Sequence, residues 1–178
     1  MLEGKRIKLR PVKEKDINLF LKWFNDPEIT QYLTAVFPVT RRAEERWFEE
    51  LGDFNKSKKV VFSIELIDEQ RLIGNCALNS VDLRNQTAEA GIMIGDKKCW
   101  SKGYGTEVFQ LLLDYGFNQL NLNRVGSAAL SFNEKSIGLH KKFGFKKEGV
   151  KRKAWFRNGK FNDEIVFGLI REEYNNSC

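Results

Sequence analysis

Apolar residues alternate with Lys8 and Arg10 at Ile7, Leu9 and Pro11, then recur at helical spacing at Ile17, Phe20, Leu21 and Phe24. A period of two predicts a strand and a period near 3.6 a helix, so the chain opens as strand then helix, the helix starting near Glu14. Asn25-Asp26-Pro27 ends that helix, because a residue before proline is pushed out of the helical region. The partly apolar stretch to Pro38 reads as a further helical turn and a mobile loop. Thr40 can cap the next helix, whose apolar face carries Trp47, Phe48 and Leu51.

Val60 to Leu66 and Arg71 to Leu78, joined by a polar turn around Asp68-Glu69, predict a hairpin. After a loop at Asp82 to Gln86 comes a strand from Thr87 to Ile94, then a glycine loop and a long helix carrying Val108, Leu111, Leu112, Tyr115 and Phe117. A strand from Arg124 to Leu130, a helix from about Glu134 to Phe143 and two last strands complete the pattern. The link Arg157-Asn158-Gly159-Lys160 holds the Asn-Gly pair of tight hairpins. Helices and strands interleaved in this order predict an α/β (α+β) domain over residues 1–178, with a mixed, mostly antiparallel sheet of about seven strands.

A hydrophobic fraction of 42% and a charged fraction of 30% are those of an ordinary globular domain, and disorder is excluded. No run of apolar residues is long enough to span a membrane, and the start shows no secretory leader. Three widely spaced cysteines, Cys76, Cys99 and Cys178, fit a reducing compartment better than a disulfide framework, so a cytoplasmic location is expected. A net charge of +6 favours a polyanion such as nucleic acid, a ribosome or a phosphorylated cofactor, or simply solvates the surface.

The segment Trp100-Ser101-Lys102-Gly103-Tyr104-Gly105-Thr106 lies between a strand and a helix. The first backbone N–H groups of a helix have no intrahelical partner, so such a junction makes an anion site. Gly103 and Gly105 allow close approach to the backbone, and Lys102 adds positive potential. A plain tight turn explains the glycines equally well. A P-loop is excluded because no Gly-Lys-Ser/Thr exists, and a dinucleotide fingerprint because position 108 is Val108.

A second constellation, Asn133-Glu134-Lys135-Ser136-Ile137-Gly138-Leu139-His140-Lys141-Lys142-Phe143-Gly144-Phe145, begins 28 residues after Gly105. Together the two motifs resemble the GNAT superfamily of acyl-CoA-dependent N-acetyltransferases, in which a glycine loop binds the pyrophosphate and a later Asn-x-x-Ser/Ala helix ends in Gly-Phe. Ile7-Lys8-Leu9-Arg10-Pro11 and Asn158-Gly159-Lys160-Phe161-Asn162-Asp163 extend the likeness to the ribosomal-protein alanine acetyltransferase (RimJ/RimL-like) branch, and spermidine acetyltransferases look similar. One departure is Trp100, where the wider superfamily carries Arg or Gln; the backbone amides and Lys102 are then left to hold the phosphates.

The resemblance implies acetyl-CoA as cosubstrate and a primary amine as acceptor, small molecule or protein N-terminus. Ribosome association and a homodimer follow as expected partners. It also implies that the strands Thr87 to Ile94 and Arg124 to Leu130 splay into a cleft, with Met93 and Ile94 pairing with the pantetheine arm as an added strand would. Asn133 would bind the arm from the opposite wall beside Ser136, and a helix-capping role for Asn133 can coexist. An alkylamine with a pKa of roughly 10 must lose a proton before attack, and Glu89 matches a position used as a base acting through water. A backbone N–H of the same strand can stabilise the oxyanion.

His140 falls where many relatives place a tyrosine that protonates the departing thiolate. A histidine serves as acid if its pKa is raised, as base if it stays neutral, or only packs. Neither a Ser-His-Asp set nor a reactive-cysteine motif is legible; Cys99 reads as a small buried residue, and without clustered Cys/His ligands no metal is expected. Lys141, Lys142, Lys146, Lys147, Lys151, Arg152 and Lys153, interleaved with Phe143, Phe145 and Trp155, form a basic run that faces the CoA 3′-phosphate, RNA or solvent. Trp23, Asp26, Glu28, Tyr32, Phe37, Trp155 and Phe156 are candidates for the acceptor pocket by position. The rival function on the same fold is a noncatalytic acyl-CoA-sensing or RNA-binding module in which His140 marks a lost acid.

Overall fold

In the computed structural model, which describes residues 1–33 and 38–175, the alternating segments form eight strands. They are β1 (Leu2–Glu3), β2 (Ile7–Pro11), β3 (Val60–Leu66), β4 (Arg71–Asp82), β5 (Thr87–Ile94), β6 (Arg124–Leu130), β7 (Lys146–Arg157) and β8 (Lys160–Ile170). They lie in one sheet, ordered β1-β2-β3-β4-β5-β6-β8-β7, and every neighbouring pair is antiparallel except β5 with β6. The strand beyond the expected seven, β1, is too short to show a period. It pairs because the Gly4 N–H donates to the Ile7 carbonyl at 2.8 Å, folding the chain back on β2.

The helices are α1 (Ile17–Phe24), α2 (Pro27–Thr30), α3 (Arg41–Leu51), α4 (Phe54–Ser57), α5 (Tyr104–Asp114), α6 (Glu134–Lys142) and α7 (Arg171–Asn175). Thr40 caps α3 as expected, accepting the Ala43 N–H at 3.2 Å, and Asp26 caps α2 ahead of Pro27. The long helix does not run unbroken: α5 ends at Asp114 and passes into a π-helical turn, Tyr115–Gln119. Strand β4 continues past Leu78 to Asp82 through a bulge at Ser80. Asn158 and Gly159 both have positive φ, as the tight hairpin turn requires.

Each sheet face carries its own core. Ile7, Leu9, Ile64, Ile73, Ala88, Ala90 and Val125 pack with Val108, Phe109, Leu112 and Leu113 of α5, while Leu72 and Met93 point the other way and meet Phe20, Trp23 and Ile29. The period of two therefore sorts β5 into an α5 side, with Ala88 and Ala90, and an α1 side, with Glu89 and Met93.

One charged group threads the edge of this core. Arg10 donates to Asp16 at 2.7 and 3.0 Å and to Glu65 at 2.5 Å, and all three are buried. Burial alone would push the Asp16 pKa up, but bonds from Arg10, the Lys13 N–H and Ser63 outweigh it and leave the carboxylate below its usual range. Glu44 of α3 is the opposite case: it is buried, its Oε1 has no partner among the described residues, and burial raises its pKa.

These two sites should respond oppositely. Arg10→Met leaves the buried Asp16 carboxylate without its cation, while Glu65 keeps Lys8 at 2.8 Å, and should cost about 3–5 kcal/mol in denaturant unfolding at neutral pH. Because the Asp16 pKa is depressed, the wild-type contribution is present above the unfolded value and is lost as pH falls through the folded one, so the deficit should shrink in acid. Glu44→Gln should raise stability by about 1 kcal/mol at pH 7. The Glu44 pKa is raised, so its ionisation opposes folding, and the gain should vanish at a pH low enough to protonate the wild-type carboxyl.

Candidate functional site

The register between β5 and β6 holds for three pairs, Thr87 with Arg124, Ala88 with Val125 and Glu89 with Gly126, and then stops. Both strands continue, but apart: β5 stays bonded to β4 out to Ile94, and β6 to β8 out to Leu130. The result is a cleft whose two walls are each braced from behind. It opens toward the loop that starts α5.

In that loop Ser101 and Gly103 have left-handed backbone, with φ of 61° and 82°. Such reversals turn successive N–H groups toward one point. The backbone N–H groups of Ser101, Lys102, Gly103, Tyr104 and Gly105 find no hydrogen-bonding acceptor among the described residues, whereas Thr106 already donates to the Gly103 carbonyl at 3.1 Å. These unpaired donors, at the positive end of an 11-residue helix, fit a diphosphate. Arg6 fixes the loop from outside. It donates to the Lys102 carbonyl at 3.0 Å and to Glu107 at 3.0 Å, and lies over the Tyr104 ring at 4.5 Å.

Trp100 has an architectural use. Its indole N–H donates to the Ile94 carbonyl at 2.7 Å, tying the loop to the end of β5. One lone pair of that carbonyl is therefore engaged, so the Ile94 carbonyl offers an added strand less than the expectation assumed. The Met93 side chain is buried in the α1-side core and its backbone is paired with Asn75 of β4, so the carbonyls that face the cleft side are those of its even-numbered neighbours, such as Ala90 and Ile94.

On the opposite wall, Asn133 caps α6, its Oδ1 accepting the Ser136 N–H at 3.2 Å. Its amide donors have no protein partner among the described residues. His140 is 3% exposed, stacked on Phe167 with centroids 4.6 Å apart. Its Nδ1 lies 2.6 Å from the Ser136 carbonyl, which only accepts, so Nδ1 carries the proton. Its Nε2 lies 2.7 Å from the Ser127 hydroxyl, which also lies 3.0 Å from the Ala90 carbonyl across the start of the splay. Burial lowers the His140 pKa and favours the neutral ring, whose Nε2 and the Ala90 carbonyl share the single proton of the Ser127 hydroxyl. An acid with a raised pKa is not what this environment makes.

Glu89 points to the α1 side, its carboxylate lying over Gly126, where a Cβ would collide with it. It makes no direct ion pair or side-chain hydrogen bond among the described residues. Partial desolvation raises its pKa; Arg124 pulls it down and Glu148 pushes it up, while the Arg124 charge is itself held by Glu148. The pair Lys151–Glu164 lies further along the same face.

The other expected positions divide. Trp23 is core, pressed against Gly95, and does not line a pocket. Asp26 and Glu28 both pair with Lys97, at 2.7 and 2.5 Å, rather than standing free for a cation. Tyr32 is exposed against Phe132, Trp155 donates to Glu164 at 3.1 Å, and Phe156 is exposed beside Phe161; Phe37 and Cys178 lie outside the described residues. In the basic run Lys146 pairs with Glu173 and Lys151 with Glu164, Lys141, Lys142, Lys147, Arg152 and Lys153 are exposed, and Phe145 is core. Cys99 is buried, as is Cys76. Three contributors were given no role from the sequence, although Lys135 lies within the second motif. Arg6 and Ser127 meet their partners only across the sheet, and Lys135 of α6 reaches Ser101 of the loop.

The site geometry has counterparts. A family model described as an acetyltransferase (GNAT) domain matches residues 6–146. An uncharacterized N-acetyltransferase, p20, of Bacillus licheniformis is 33% identical over 175 residues, covering 97% of each chain. The spermidine N(1)-acetyltransferase of Escherichia coli K12 is 25% identical over 94% of this chain and 88% of its own. The structure of spermidine N-acetyltransferase from Vibrio cholerae in complex with CoA and spermine superposes with a TM-score of 0.89 at 24% identity, over 97% of this chain and all of that one. With a family model matching most of its length, a relative at one-third identity and a sheet that parts above a helix start with unpaired N–H groups, this chain belongs to the GNAT acetyltransferases.

Proposed function

We propose that the cleft takes acetyl-CoA with its diphosphate on the Ser101 to Gly105 amides and its pantetheine arm between Met93 and Asn133. In this reading, Glu89 prepares a primary amine that enters from the α1 side. The parting of β5 and β6 directly above five unpaired N–H groups carries this reading. Both faces of the reaction then have a supplier. Strand β5 offers backbone donors to the acyl oxygen, and proximity in the cleft accounts for much of the acceleration.

Glu89 is unpaired, partly desolvated and held above its ordinary pKa, which suits a carboxylate that takes a proton through water. His140 contributes as a neutral acceptor that holds the Ser127 hydroxyl at the start of the splay, a positioning part rather than an acid. For the acceptor, the carboxylates Glu89, Glu148 and Glu164 on one face favour a cationic amine; the spermidine acetyltransferase relatives support a polyamine first and a protein N-terminus second. Exposed Lys147, Arg152 and Lys153 on the outer strand keep a ribosome-borne terminus among the acceptors to test. The buried free thiols of Cys76 and Cys99 suit a reducing cytoplasm.

Thiol release from acetyl-CoA across polyamines, aminated small molecules and peptides with free N-termini tests the activity. Saturable release with at least one amine is expected. Cofactor binding without release from any acceptor would instead make the chain a noncatalytic acyl-CoA-binding module. Glu89→Gln should lower kcat by about 10²- to 10⁴-fold while leaving CoA affinity within a few fold. Since the basic form of Glu89 exists only above its raised pKa, wild-type turnover should fall as pH drops through that value. The variant should lack this limb; an unchanged pH profile would remove Glu89 from the reaction.

A further inference from the structure

Lys135 stands in the first turn of α6, where the helix dipole disfavours a cation. Its side chain leaves that wall, crosses the mouth of the cleft and places Nζ 2.9 Å from the Ser101 hydroxyl and 6.0 Å from the centre of the Trp100 ring. Arg6, Arg71 and Lys97 near the loop have carboxylate partners, Arg6 with Glu107, Arg71 with Glu69 and Asp96, Lys97 with Asp26 and Glu28, whereas Lys98 and Lys102 form no ion pair among the described residues. Lys135 has none among the described residues. An ammonium offers three donors and a full charge, and a neutral hydroxyl uses one donor and none of the charge. Two helix starts, α5 and α6, add their positive ends at the same place. The cation and both dipoles thus converge on a spot bordered by five unpaired N–H groups, with no counter-charge supplied by the protein.

We infer that Lys135 is a phosphate-binding residue for the cosubstrate. It rests on Ser101 in the free protein, passes from the hydroxyl to a phosphate of CoA when the cleft fills, and so joins the two walls through the ligand. This rests on the acetyl-CoA reading of the cleft and adds a ligand from the wall opposite the glycine loop. Lys135 is exposed and the α6 cap belongs to Asn133, so its replacement leaves the fold intact.

Calorimetric affinities for CoA, 3′-dephospho-CoA and pantetheine test it, on wild type, Lys135→Ala and Lys135→Arg. Loss of a charge-assisted bond should weaken CoA binding by about ten- to hundredfold in Lys135→Ala. Arginine should restore most of it, and pantetheine affinity should not change. A penalty that persists with 3′-dephospho-CoA assigns the diphosphate, and one that disappears assigns the 3′-phosphate; either supports a phosphate contact. Lys135→Ala binding CoA within twofold of wild type, or losing pantetheine equally, overturns the inference while leaving the cleft assignment standing. Wild type that binds no CoA overturns the cleft assignment itself.

Discussion

Beyond Glu89 and Gly126 the backbones of β5 and β6 no longer satisfy one another, and strand groups left unpaired away from water are costly. The fold tolerates the gap because each strand keeps its ladder on the far side, β5 with β4 and β6 with β8. Ser127 limits the separation at its start by placing a hydroxyl 3.0 Å from the Ala90 carbonyl, in the position where a further ladder bond would lie. An extended amide-bearing ligand that fills the space supplies what the sheet lacks. The same vacancy that weakens the sheet is what makes it a binding site.

Charge follows the same division. On the side of the loop away from the cleft, Arg6, Arg71 and Lys97 are matched with acids, so the surface there has little field to offer a ligand. At the cleft mouth the potential comes from helix starts and from Lys135. On the α1 side the unpaired group is an acid, Glu89, laid over a glycine. The two ends of the opening thus carry opposite charge, positive at the loop and negative on the α1 side.

Much of this was readable along the chain because it is local. The glycines ahead of α5, the Asn133 cap, the Thr40 cap and the Asn158-Gly159 turn each depend on residues a few positions apart. What was not readable depends on distance in sequence. His140 sits at the expected place on α6, yet its pKa is set by burial among Phe109, Phe145 and Phe167, and its Nε2 meets Ser127 of β6. Trp23 looked like a pocket wall because it stands at the end of an early helix, whereas Gly95 opens a slot for it in the core. Asp26 and Glu28 looked free because Lys97 is some seventy residues away.

The strand order also divides the chain in time. Strands β1 to β5 are each paired with their sequence neighbours, and β6, β8 and β7 form a second set closed by a tight turn. The two sets meet through three parallel pairs, whose connection must run the length of α5 before it can close. Contacts between distant residues form late because loop closure precedes their reward. The cleft is therefore the seam between the two strand sets. A nascent or partly unfolded chain holding either set alone would carry half of the ligands and no site, which makes the binding of its cosubstrate a reporter of the last docking step.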